Sequence, residues 1–244
     1  MITVAAVGDV HMDQEMRGRY RPRLGGLAGD ADVLLLAGDL TKHGTVEEAQ
    51  VVADEFRDLP VPVVAVLGNH DYHSDAHEEI AALLRAVGIT VVEGEGTVVA
   101  CPGGRLGVAG VKGFALGFPG QCASEFGEPE MKCFARSSRE AAERLGAALA
   151  SLDADTVVAL THYAPVRDTL AGEPVEIFPF LGSYLLAEAI DAAGAALAVH
   201  GHAHRGTEVG MTAGGVPVRN VALPVLGRPY GVYRLDERTT QPTR

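Results

Sequence analysis

The sequence predicts an α/β protein built on a parallel sheet buried on both faces, and two observations carry that prediction. First, the apolar runs 2–7, 32–37 and 61–67 are continuous rather than alternating, with helical stretches between them. Second, each run ends in a polar element: Gly8-Asp9-Val10-His11, then Gly38-Asp39, then Gly68-Asn69-His70-Asp71. Asp9, Asp39 and Asn69 are spaced 30 residues apart, about the length of one βαβ unit. Polar residues at the carboxyl ends of such strands lie where open α/β sheets place their sites.

The remaining elements follow in order. Residues 13–28 have helical composition interrupted by Pro22 and a glycine cluster. Thr45 is an N-cap with Glu48 as its capping-box partner, opening a helix to about residue 59. A second helix is expected over 75–87. Short β-rich pieces broken by glycines, at 89–92, 97–101 and 105–111, predict a second, meandering sheet. Residues 112–135 are expected to form a long loop, and 137–152 an alanine-rich helix. The buried-strand pattern returns at 155–161 and delivers His162-Tyr163-Ala164-Pro165. A loop over 166–180 and a helix over 181–193 lead to the strand 195–199. That strand opens onto His200-Gly201-His202-Ala203-His204, one third of the nine histidines. Closing strands are expected at 216–221 and 230–235. The expected organisation is a single domain over 1–235 followed by a polar tail, 236–244, that frays.

Composition narrows the function. A chain of 244 residues with 47% hydrophobic and 21% charged residues is ordinary globular material. The formal charge of −12 repels polyanions and argues against a long nucleic-acid partner. A small phosphorylated substrate remains compatible, because bound dications reverse the sign locally. Cys101, Cys122 and Cys133 lack zinc-site spacing and read as reduced thiols. The N-terminus has no basic leader, and no apolar run reaches the roughly 18–20 residues of a membrane span. No membrane partner and a cytoplasmic location are therefore expected.

Collected from the strand ends, Asp9, His11, Asp39, Asn69, His70, His162, His202 and His204 mix carboxylate, amide oxygen and imidazole. That donor set suits first-row dications. Two metals roughly 3.5–4 Å apart need about seven or eight protein ligands with one carboxylate shared, whereas a single zinc needs about three or four. An imidazole left over from metal binding is a natural general acid near neutral pH.

Asp9-x-His11, Gly38-Asp39, Gly68-Asn69-His70-Asp71, His162 and Gly201-His202-x-His204 together resemble the calcineurin-like metallophosphoesterase superfamily. All five blocks occur in family order between residues 9 and 204. The resemblance implies a four-layer α/β/β/α sandwich, two mixed sheets face to face with flanking helices. It implies two divalent metal ions (Mn, Fe or Zn). Asp9, His11 and His204 would hold the first, Asn69, His162 and His202 the second, and Asp39 would bridge. It further implies hydrolysis of a small phosphomonoester or phosphodiester by in-line attack of a metal-bridging hydroxide. His70 would protonate the leaving group or bind the phosphate, and Asp71 is read as the carboxylate that orients its ring. The alternatives are a nuclease with the same centre, disfavoured by charge, and a non-catalytic scaffold, disfavoured by the intact ligand set.

Specificity is expected from the two irregular loops. His43, Lys112, Phe114 and Tyr163 are candidate substrate contacts. Arg136 is a further phosphate candidate, and Phe118, Phe126, Phe178 and Tyr184 are candidate pocket walls; Arg167 and Glu173 are undecided. For each of these, ordinary loop packing is the competing reading. His73 and His77 are expected to face solvent, and His200 to be a buried neighbour of the ligands.

Overall fold

The structure is a computed structural model that describes residues 1–235; the tail 236–244, expected to fray, lies outside the described residues. Two mixed sheets hold the strands. The first is ordered β13-β1-β2-β3-β4, from β1 (Ile2–Val7), β2 (Val33–Ala37), β3 (Val63–Val66), β4 (Thr90–Val91) and β13 (Gly231–Leu235). Its pairings are parallel except for β13 against β1. The second is ordered β11-β12-β10-β9-β6-β5, from β5 (Glu95–Cys101), β6 (Gly104–Val111), β9 (Thr156–Thr161), β10 (Leu197–His200), β11 (Val209–Met211) and β12 (Pro217–Asn220). A small hairpin, β7 (Gly117–Phe118) with β8 (Gln121–Cys122), stands apart.

Side-chain size sorts the layers. On β6, β9 and β10 the inward residues Leu106, Val108, Val158, Leu160, Leu197 and Val199 join the core shared with the first sheet. The alternate residues Ala109, Ala159 and Ala198 face outward, with Leu145, Leu149, Leu186 and Ile190 in one cluster. Those four come from helices α4 (Pro129–Ala150) and α6 (Tyr184–Ala193). Period-two alternation thus puts bulk between the sheets and small residues under the helices, which can then approach closely. Helices α2 (Val46–Phe56) and α3 (His77–Ala86) contact each other and contribute Ala49, Val52, Phe56, Ile80 and Leu84 to the core of the first sheet. The four-layer arrangement follows, and the expected fold class holds.

Several elements differ from the sequence reading. The helical stretch at 13–28 is only 3-10 turns at Gln14–Met16 and Arg21–Leu24 and the one-turn α1 (Leu27–Asp30). The long loop 112–135 is shorter than expected, because α4 begins at Pro129 rather than near Ser137. A proline is favoured in the first turn, where its missing N–H has no helical partner to lose. The loop 166–180 contains turns at Asp168–Leu170 and Val175–Ile177 and leads into α5 (Phe178–Leu181), separate from α6. A last one-turn helix, α7 (Leu223–Leu226), precedes β13. Thr45 caps α2 as expected, its hydroxyl accepting from the Glu48 N–H at 3.2 Å. The Glu48 carboxylate does not reach back to Thr45. It accepts instead from the His43 N–H at 2.6 Å, and lies 2.7 Å from His43 Nδ1.

Candidate metal centre

Five adjacent strand ends converge on one place. Asp9 and His11 follow β1, Asp39 follows β2 and Asn69 follows β3, three neighbours in the first sheet. His162 follows β9, and His202 and His204 follow β10, neighbours in the second. The site therefore sits across the carboxyl edge of both sheets.

The backbone there is unusual. Among the described residues, six that are not glycine have positive φ, and four of them are Asp9 (55°), His11 (43°), Asp39 (50°) and His202 (70°). Left-handed backbone costs such residues roughly 1–2 kcal/mol each, so neighbouring structure must fix it. It does so by continuing the sheet pairing past the strands. The N–H of Asp9 donates to the Gly38 carbonyl at 2.9 Å, that of His11 to Asp39 at 3.1 Å and that of Met12 to Leu40 at 2.9 Å. The motif glycines are needed for close approach rather than for flexibility alone. A Cβ at Gly38 would lie 2.6 Å from His162 Nδ1, and one at Gly201 would run into the Asp9 carboxylate.

The side chains form two groups that share one residue. Asp9, His11, Asp39 and His204 present donor atoms within 4.8 Å of one another, and so do Asp39, His162 and His202. Asp9 Oδ1 lies 2.8 Å from His204 Nε2, which is 3.4 Å from His11 Nε2. Asp39 Oδ1 lies 3.3 Å from His162 Nε2, and Asp39 Oδ2 lies 3.8 Å from His11 Nε2. Asn69 Oδ1 stands 2.9 Å from His162 Nε2.

Protonation favours cation binding. Burial pushes His11 down to about 4 and His202 down to about 3, so both imidazoles are neutral at ordinary pH. Burial works against ionisation of Asp9, but the hydrogen bond from His204 and the neighbouring imidazoles outweigh it and hold Asp9 below the usual carboxylate range. The same bond raises His204. For Asp39 burial outweighs the nearby His162 ring and the His70 N–H, and with the Asp9 charge adding it lifts the carboxyl to about 6. The His162 ring supplies a direct test of fit. Its Nδ1 is 2.8 Å from the Ala37 carbonyl and so carries a proton, which leaves Nε2 as the nitrogen that faces the oxygens of Asn69 and Asp39. Lone pairs converging on one point ask for a cation, and carbonyl-held imidazoles are how proteins orient metal ligands. The residues present fit divalent metal.

The catalytic candidates separate. His70 donates its N–H to Asp39 Oδ1 at 2.8 Å, and its ring Nε2 lies 3.9 Å from Asp39 Oδ2. Its Nδ1 is 2.8 Å from the Lys42 carbonyl. Asp71 does not orient this ring, contrary to the sequence reading. Its carboxylate, fully buried, accepts from the N–H groups of Leu40 (3.2 Å), Thr41 (2.8 Å) and Gly68 (2.8 Å) and from the Thr41 hydroxyl (2.6 Å). It ties the loop after β2 to the loop after β3.

The substrate candidates are scattered. The His43 ring is held by Glu48 at the start of α2, outside the two groups. Lys112 Nζ lies 5.1 Å from each of the Tyr72, Phe114 and Tyr163 rings and 3.1 Å from the Gly113 carbonyl. Tyr163 is buried with its ring 4.4 Å from that of His202. Arg136 pairs with Glu125 at 3.0 Å, Arg167 lies over Phe178, and Glu173 accepts from the Arg205 N–H at 2.7 Å. Phe178 lines a surface cavity with Arg167, Glu173 and Val175, away from the two groups, whereas Phe118 does not. Both fill a small core with Leu170, Leu181 and Ala203, against which Tyr184 packs. Phe126 projects into solvent, 83% exposed. His73 is exposed as expected, but His77 is half-buried and stacks on Tyr72 at 4.0 Å. His200 is fully buried, its Nε2 2.8 Å from the Thr169 hydroxyl, and burial pushes it down to about 4.

Sequence reasoning missed the carbonyls of Ala37, Lys42 and Phe180 that hold the rings of His162, His70 and His202, because backbone contacts leave no mark on residue type. It also missed Phe134 and Phe180, whose rings continue from Phe114. No helix of the described residues is long and apolar enough to cross a membrane.

Comparison with known proteins agrees with this geometry. No curated protein matches the chain in sequence. Among solved structures, phosphopantetheinyl hydrolase from Mycobacterium tuberculosis superposes with a TM-score of 0.68 at 16% identity, covering 98% of each chain. Purple acid phosphatase from yellow lupin (Lupinus luteus) superposes with a TM-score of 0.51 at 16% identity, over 83% of this chain and 38% of that one. At such identities these likenesses show the fold. The family model of calcineurin-like phosphoesterase matches residues 2–206, a span that takes in every strand end of the centre, and the chain belongs to that family.

Proposed function

We propose that the protein is a metal-dependent hydrolase of small phosphomonoesters or phosphodiesters. The observation that carries this reading is the pair of ligand groups sharing Asp39, with the His70 ring beside the shared carboxylate. Asp9, His11 and His204 would hold one dication and Asn69, His162 and His202 the other, with Asp39 touching both. When bound, two such ions lower the pKa of water between them and offset charge on the phosphoryl oxygens.

The chain's own residues do the rest. Asn69 offers an oxygen without adding charge, so the donor set carries only the two carboxylates Asp9 and Asp39. The bond to the Phe180 carbonyl occupies His202 Nε2 at 3.3 Å and leaves Nδ1 as its donor atom. In the hydrolysis, a P–O ester bond breaks and water supplies the new oxygen on phosphorus. The departing alcohol oxygen needs a proton. His70 is placed to give it when its ring carries both protons: the Lys42 carbonyl holds Nδ1–H, Nε2–H is turned to the site, and the ring is left neutral once that proton moves to the alcohol oxygen. The formal charge of −12 favours small phosphorylated substrates over a long nucleic acid.

The test is hydrolysis of p-nitrophenyl phosphate and bis(p-nitrophenyl) phosphate by protein stripped with chelator and reloaded with Mn²⁺, Zn²⁺ or Fe²⁺. Turnover that appears only on reloading is expected. Reloaded protein at the level of the stripped protein, on both esters and all three ions, would make this chain a non-catalytic relative.

A further inference from the structure

An arc of aromatic rings leaves the second ligand group and ends in solvent. The His202 ring lies 4.4 Å from Tyr163, Tyr163 6.0 Å from Phe114, Phe114 5.3 Å from Phe134 and Phe134 6.4 Å from Phe180. The Phe180 carbonyl returns to His202 Nε2 at 3.3 Å, so both ends of the arc meet at one ligand. Phe180 keeps 58% of its surface exposed, whereas Phe178, two residues earlier on the same one-turn helix, is 5% exposed in a small core. Val175 (49% exposed) and Ile177 (37%) precede it, and Met131 (41%) stands one turn before Phe134 on α4. Several large apolar side chains facing water on neighbouring segments mark a binding surface rather than scattered surface residues.

Three of the nearby cations are engaged elsewhere. Lys112 Nζ is directed at the faces of Tyr72, Phe114 and Tyr163 and at the Gly113 carbonyl. Arg136 and Arg139 on α4 both pair with Glu125. The arc itself offers ring faces and methylenes rather than charge.

We infer that the arc seats the leaving group, and that the preferred substrates are phosphoesters of hydrophobic alcohols rather than of polar ones. This inference rests on the phosphoesterase reading above. A hydrophobic alcohol lying along Phe134 and Phe180 would place its ester oxygen toward His202, at the end where the ligand groups begin.

The test is a chain-length series of n-alkyl phosphates (ethyl, butyl and octyl) below their micellar concentrations, or the methyl n-alkyl diesters if diesters are the form hydrolysed. Leaving-group acidity barely changes along the series, so kcat/KM reads contact with the arc. Each methylene that the arc buries is worth up to about fourfold, and a rise of at least about tenfold from ethyl to octyl is expected even if most of the chain stays wet. Phe180→Ser, which keeps the carbonyl on His202, should lower the octyl-to-ethyl ratio at least threefold, chiefly through KM. Phe126→Ser removes an exposed ring outside the arc and should keep the wild-type ratio. A flat profile with ethyl phosphate turned over, or an equal fall in the Phe126 variant, overturns the inference while leaving the phosphoesterase reading intact. Failure to hydrolyse every ester, ethyl included, overturns that reading as well.

Discussion

Asp71 is adjacent in sequence to the proposed general acid, yet its bonds give it a structural task, and replacing it separates the two roles. In Asp71→Ala three buried N–H groups, those of Leu40, Thr41 and Gly68, lose their acceptor, while the Thr41 hydroxyl can turn elsewhere. At roughly 1–2 kcal/mol for each buried donor left unpaired, the loss is about 3–6 kcal/mol, against a typical total stability of roughly 5–15 kcal/mol. For a domain of this size that corresponds to a fall in melting temperature of roughly 6–24 °C. Asp71→Asn is not expected to rescue, because its amide NH₂ would face N–H donors where an oxygen now accepts. The measurement is calorimetric melting of metal-stripped protein, which removes any contribution from bound ions. If Asp71→Ala and Asp71→Asn melt within about 2 °C of wild type but lose turnover, the carboxylate acts on His70 after all and the assignment to the loops is refuted.

Three further outcomes follow from the same geometry. His70→Ala should retain wild-type metal content while losing roughly 10²–10⁴ in kcat, most steeply on poor leaving groups; metal loss matching that of a ligand variant would contradict a proton-donating role. Gly38→Ala should lose metal affinity and melt lower, since φ is +82° and its Cβ would sit 2.6 Å from His162 Nδ1; the left-handed backbone and the overpacking together cost roughly 2–5 kcal/mol, read by calorimetry with a metal titration. Metal binding should release a proton from His204, whose pKa the Asp9 bond raises, and near and below pH 6 one from Asp39, lifted by burial, but none above about pH 5 from His11 or His202, held near 4 and 3 by burial. Affinity should therefore fall as pH drops through the raised His204 value. In metal-free protein the His204–Asp9 pair stabilises the fold below the ordinary histidine range, and that stabilisation is lost as pH rises through the raised value. Calorimetric titration in buffers of different ionisation heat counts the protons.

The residues that converge at the strand ends were legible because their signals are local. A glycine followed by an acid or amide at the end of an apolar run reports a strand end, and the even spacing of Asp9, Asp39 and Asn69 reports strands that lie side by side. The fold class followed from the same runs. Roles that depend on direction were not legible. His70 and Asp71 sit in a 3-10 turn, His70–Tyr72, where about three residues complete a circuit and successive side chains diverge; adjacency therefore sent Asp71 into the core and left His70 at the site. The aromatic arc draws on residues 114, 134, 163, 180 and 202, which only tertiary structure brings together. Placing the start of α4 late, despite the proline at 129, also left Phe134 in an assumed loop. Glu48 matched a capping-box pattern, but the closer partner was the backbone and ring of His43.

The claim on which the rest depends is that Asp39 belongs to both ligand groups at once. Metal content after equilibration with Mn²⁺ or Zn²⁺ and removal of free ion, measured by elemental mass spectrometry, tests it most directly. Wild type should hold about two ions per chain. Asp39→Ala should weaken both sites together and fall well below one ion, whereas His11→Ala and His162→Ala should each lower one site more than the other. Near-complete loading of Asp39→Ala, or a wild-type stoichiometry that saturates at one ion, would contradict a shared carboxylate and a two-metal centre.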